Sequence, residues 1–160
     1  MKLRLKKGIV FSLILAALVI AGAAFFVHIN GGGNLIIKDS ASGKIYGRWP
    51  LEESGEFAIE FIHSVNQSPV REFYRIEDGK IRPWAVRFYG FGAGIQSDLE
   101  EGLTLSRDGD AMVISGFKAS YKELNSIVGT VSDHLLFING ECISLRNLCG
   151  RSAHIIIYFK

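Results

Sequence analysis

The chain has 160 residues, 18 basic and 16 acidic, and a formal net charge of +2. That length holds one modest domain plus a tail. Lys2, Arg4, Lys6 and Lys7 fall within the first seven positions, so the remainder is slightly acidic and offers no basic face for nucleic acid.

Residues 1–30 read as a membrane anchor or signal segment. Gly8 to Val27 contains no charged residue, and about 20 helical residues at ~1.5 Å each match the hydrocarbon core of a bilayer. The basic cluster precedes the apolar run, which predicts a cytoplasmic N-terminus, a single pass through the cell membrane and an extracytoplasmic remainder. Ala21-Gly22-Ala23 has the small-x-small form of a cleavage site. The apolar run continues past it through Phe25-Phe26-Val27, which favours an uncleaved anchor. Residues 31–34, Gly-Gly-Gly-Asn, have linker composition.

From 35 to 160 the pattern is that of strands. Leu35–Ile37 and Lys44–Trp49 predict a hairpin turned by residues 39–43, and residues 50–55 a second turn. Glu56 to His63 alternates, with Phe57, Ile59 and Phe61 on one face, as a half-buried strand requires. Val70–Glu77 and Lys80–Tyr89 flank Asp78-Gly79, a hairpin signal, and Pro83 marks a sheet edge or a bulge. Gly90-Phe91-Gly92-Ala93-Gly94 is a loop. Leu103–Ser106, Ala111–Ser115, Ser126–Val131, His134–Ile138, Glu141–Leu145 and Ala153–Phe159 supply further strands, with Asn139-Gly140 as a type I′ turn. Asp98–Gly102 and Tyr121–Asn125 make one helical turn at most. The expected fold class is all-β, a β-sandwich or small barrel preceded by one transmembrane helix.

Reactive residue types crowd one bend, from Phe61 to Tyr74: His63, Ser64, Arg71, Glu72 and Tyr74. A serine hydrolase needs a base within reach of its nucleophile and an oxyanion hole. No GxSxG elbow is present, so no enzyme and no cofactor are expected. His63, Glu72 and His134 are of metal-ligand type but match no compact metal motif. A structural role for the bend fits better, with His63 and Ser64 satisfying backbone groups and Glu72 pairing with Arg71 or Arg75. Trp84 with Phe88–Phe91 reads as core before exposed patch. Cys142 and Cys149 bracket a stretch expected as a tight hairpin. A disulfide and a pair of buried free thiols are both open.

His63-Ser64-Val65, Ser68-Pro69-Val70 and Glu72-Phe73-Tyr74, then Phe91-Gly92-Ala93-Gly94 beyond the Asp78-Gly79 hairpin, together with His134-Leu135, resemble a bacterial and archaeal family catalogued as domain of unknown function 1850. The resemblance covers about Leu35 to Phe159. Asn66 departs from it, standing where an acidic residue commonly follows His-Ser-Val. Members are often encoded beside TRAP transporters of the TAXI type, so the resemblance implies an accessory protein of such a transporter. Its partner would be the permease or the solute-binding protein. On that expectation the bend and the 90–94 loop form the contact surface. Arg71 and Glu72 would set register, and Tyr74 or Phe91, flanked by Gly92 and Gly94, would supply buried area. The alternative is an extracytoplasmic small-ligand or metal-binding domain built on His63, Glu72 and His134.

Overall fold

Among the described residues the elements are eleven strands and one short helix: β1 (Gly33–Asp39), β2 (Ile45–Leu51), β3 (Glu56–Ile62), β4 (Pro69–Glu77), β5 (Lys80–Phe88), β6 (Thr104–Asp108), β7 (Ala111–Ser115), β8 (Glu123–Ile127), β9 (His134–Ile138), β10 (Glu141–Ser144), α1 (Leu145–Cys149) and β11 (His154–Phe159). The computed structural model describes residues 32–52, 55–90 and 100–160. Among them no helix is long and apolar enough to cross a membrane. The anchor expected at Gly8–Val27 and the loop at Phe91, Gly92 and Gly94 lie outside the described residues.

The strands form two sheets, ordered β2-β1-β11-β8 and β10-β9-β3-β4-β5-β7-β6. Each pairing between neighbours is antiparallel. Alternation decides which side chains meet. Leu35, Ile37, Ile155 and Ile157 of the smaller sheet pack in one buried cluster with Phe57, Ile59, Tyr74, Ile76, Ile81, Leu136 and Ile138 of the larger. The two sheets therefore stack face to face as a β-sandwich. A second cluster, Val70, Phe88 and Ile114 with Phe61 and Met112 against it, fills the space under β5 and β7.

Turn chemistry follows the residue types. Asp78-Gly79 and Asn139-Gly140 all have positive φ, the type I′ requirement that joins β4 to β5 and β9 to β10. The proline expected at an edge or bulge sits in a bulge: the register shifts between Phe73 and Tyr74 opposite Ala85 and Pro83. Since β5 is an interior strand, the bulge absorbs the missing donor.

Four expectations are corrected. β1 begins at Gly33 and pairs Gly33 with Leu51 and Asn34 with Pro50, so half of the stretch expected as linker is sheet. The strand expected at 126–131 runs Glu123–Ile127, through residues expected to be helical at most; Leu124 and Ser126 pair with Ile157 and Ile155. The hairpin between Arg107 and Asp110 is tighter than expected, since pairing continues to Asp108↔Ala111. The segment between the cysteines is no hairpin. β10 stops at Ser144 and α1 starts there, with the Ser144 hydroxyl accepting the N–H of Asn147 at 3.0 Å.

Both cysteines are free thiols. Cys142 is exposed on β10, whereas Cys149 packs against the core, where burial and then the charge of Asp39 push its thiol up to about 11. Maleimide at neutral pH should modify Cys142 rapidly and Cys149 only after denaturation, read as one adduct and then two by intact mass. Zero adducts or two rapid ones in the native protein would contradict this arrangement.

Candidate functional site

The bend between β3 and β4 is held by its own hydrogen bonds. His63 N–H donates to the Ser68 carbonyl and Gln67 N–H to the His63 carbonyl, both at 2.9 Å. Val65 N–H donates to His63 Nδ1 at 3.3 Å, so the imidazole braces the turn. Asn66 Oδ1 accepts the hydroxyl of Ser68 at 2.8 Å, and its Nδ2 donates to the Gly90 carbonyl at 3.0 Å. Asn66 thereby ties the bend to the end of β5. In the sequence Asn66 stands out only as a departure, although Asn-x-Ser is the side-chain turn pattern that predicts its bond to Ser68.

Arg71 and Glu72 part company. Successive strand residues face opposite ways, so Arg71 lies on the outer face and donates from Nε to Glu60 at 2.8 Å, its guanidinium 4.0 Å from the Phe137 ring centroid. Arg75 pairs with Glu77 at 3.6 Å. The expected pairing of Glu72 with either arginine is therefore replaced. Glu72 faces the other sheet and accepts the Tyr74 hydroxyl at 2.7 Å. Tyr74 stacks on Phe57, centroids 5.1 Å apart. Burial, followed by the charge and hydrogen bond of Glu72, holds its phenol protonated far above the usual range.

His134 shares that inner side. Phe61 pairs with His134 and Ile59 with Glu72, so one diagonal step across β3 separates the imidazole from the carboxylate. His134 stacks on Phe61 at 5.4 Å, and its Nδ1 accepts the Gly129 N–H at 3.1 Å. That bond leaves Nε2 as the protonated nitrogen of a neutral ring. Burial lowers its pKa from the usual 6.5, and the charges of Asp133 and Glu72 oppose this only in part. His63 and Ser64 stay with the bend and do not join this pair. Among the described residues no three His, Cys, Asp or Glu side chains form a group able to hold a metal ion.

An unfolded chain takes up a proton on this histidine before the folded one does, so its contribution to stability is present above about pH 6.5 and falls as pH drops toward the folded value. His134→Gln should flatten the loss of urea midpoint between about pH 7.5 and 5.5. An unchanged slope would contradict the buried neutral ring.

The loop before β9 was not anticipated as part of the site. Asp133 accepts the Ser144 hydroxyl at 2.5 Å and the Arg146 N–H at 3.0 Å, and Arg146 reaches the Val131 carbonyl at 2.9 Å. Ile62 N–H donates to Ser132 Oγ at 2.9 Å, joining this loop to the end of β3. Four exposed apolar residues lie at this end of the larger sheet: Ile62 (41%), Val65 (62%), Tyr89 (44%) and Val131 (93%). Their relative exposures decide their reading, because buried packing does not explain them.

The fold and this end together define an antiparallel β-sandwich that presents a braced bend and two loop edges at one end of its larger sheet. A family model described as domain of unknown function (DUF1850) matches residues 57–145, more than half of the chain. The chain belongs to that family. The match runs from β3 to the first residue of α1 and so contains the bend, the inner Glu72–His134 pair and the loop before β9. No curated protein and no solved structure matches the chain.

Proposed function

We propose that this protein is a membrane-anchored, extracytoplasmic binding module without catalytic activity, and that it serves a TRAP-type transporter by docking on its permease or solute-binding protein. The observation that carries the reading is that Ile62, Val65, Tyr89 and Val131 are exposed at one end of the larger sheet, where Asn66, Ser132 and Asp133 hydrogen-bond the bend and loop together. Apolar side chains on braced loops lose little entropy on association and contribute area directly. An anchor in the same bilayer would raise the effective concentration at a membrane partner, so modest affinity suffices. The transporter as partner rests on the family's gene neighbourhood.

Co-purification from native membranes tests it. The full chain should bring down a transporter subunit, and Val65→Asp with Val131→Asp should reduce recovery at least tenfold while leaving the melting temperature within about 2 °C, since exposed positions tolerate charge. Equal recovery by the double variant would overturn the surface; no transporter subunit in either preparation would overturn the partner.

One observation favours a second reading, a small polar ligand between the sheets. Glu72 Oε1 and His134 Nε2 both lack a hydrogen-bond partner among the described residues, and they face the same inter-sheet side. A ligand that accepts from the imidazole and donates to the carboxylate would use both. Glu72→Gln should then weaken binding of that ligand without affecting capture of the transporter.

A further inference from the structure

The outer face of the larger sheet carries a feature remote from the exposed apolar end. Register aligns Phe137, Ala58, Phe73 and Ala85 in one row across β9, β3, β4 and β5. Phe73 and Phe137 thus stand two strands apart, about 9.5 Å at the backbone, with the buried Ala58 between them as a floor. That spacing leaves room for one aliphatic chain between the two side chains. The resulting cavity has a volume of about 260 Å³ and is lined also by Glu56, Asn139 and Glu141.

Charge at the rim selects the occupant. Neither Glu56 nor Glu141 has an ion pair or side-chain hydrogen bond among the described residues. Arg75, cross-strand from Glu56, is engaged elsewhere: its guanidinium lies over Trp84 and pairs with Glu77. Arg71 is likewise held by Glu60, over Phe137. The slot therefore combines two aromatic walls with two uncommitted carboxylates, which suits a group with an apolar stem and a cationic head. We propose that this slot receives the side chain of a lysine or arginine presented by a polypeptide partner. A polypeptide fits better than a free amine because floor and walls leave the top open, whereas small-ligand sites enclose most of the ligand. A tethered side chain needs no such enclosure. This site lies away from the bend and does not depend on the reading given to that end.

Backbone amide shifts of the isotope-labelled full chain in detergent, titrated with blocked tripeptides, test the proposal. Acetyl-Gly-Lys-Gly-amide and its arginine counterpart should shift Ala58, Phe73 and Phe137 saturably, and the norleucine tripeptide, which keeps the stem and drops the charge, at least fivefold more weakly. Glu56→Gln with Glu141→Gln, both at exposed positions, should bring the lysine peptide down to the norleucine level. Ala58→Leu, which fills the floor, should abolish the shifts of all three. Equal binding of norleucine, an unaffected double variant, or n-butylamine binding as tightly as the lysine peptide would each overturn the proposal.

Discussion

Leu136→Ala is expected to destabilise the domain by about 2–5 kcal/mol, the usual cost of truncating a fully buried leucine. Leu136 has no exposed surface, pairs with Ile59 and Ile143, and belongs to the cluster built from both sheets. Its methyls sit where the sheets meet, so neighbours on one sheet can move into the void only by leaving the other. Incomplete collapse places the expected value in the upper half of the range. For a body of this size the melting temperature should fall by on the order of 10 °C. A fall of one or two degrees would mean that the sheets are not packed through this position.

The second large effect is expected at Asp133. Its carboxylate accepts from the Ser144 hydroxyl and from the Arg146 N–H, and so joins the start of β9 to the start of α1. Removing it strips the partner from a helix-start N–H and from the hydroxyl that caps α1, at a cost of about 2–3 kcal/mol. The effect has a pH signature. Burial pushes this carboxyl upward, but hydrogen bonds from Ser144, Arg146 and His134 and the charge of Arg146 outweigh it and leave the pKa lowered. A depressed folded-state value stabilises above the ordinary carboxylate range and is lost as pH falls through the folded value. Asp133→Ala should therefore cost most at neutral pH and little in strong acid. Urea midpoints at both ends would show it, and a penalty independent of pH would contradict the network.

Much of the fold was legible because local chemistry and tertiary structure agree. Phe57, Ile59 and Phe61 alternate and do face the core side, and Asp78-Gly79 and Asn139-Gly140 do turn hairpins. β8 was misplaced because this edge strand only half-buries Leu124 and Ser126, and its exposed Glu123 and Asn125 resemble a loop. α1 is too short for any helical period; the N-cap type of Ser144 was the available cue. The opposite facing of Arg71 and Glu72 was predictable from a period of two, as was the same-side pairing of Glu72 and Tyr74. Contacts between Ile62 and Ser132, or Asn66 and Gly90, were not. They depend on β9 returning to lie beside β3 and on β5 ending near the bend, which strand order alone decides.

The exposed end around Val65 and Val131 is the surface on which the functional account turns, and photo-crosslinking in intact membranes tests it most directly. A photoreactive residue at Val65 or at Val131 should give an adduct with a transporter subunit, while the same probe at Asn125, exposed on the outer side of β8, should give none. Adducts of equal yield from Asn125, or no transporter adduct from either valine position, would contradict it.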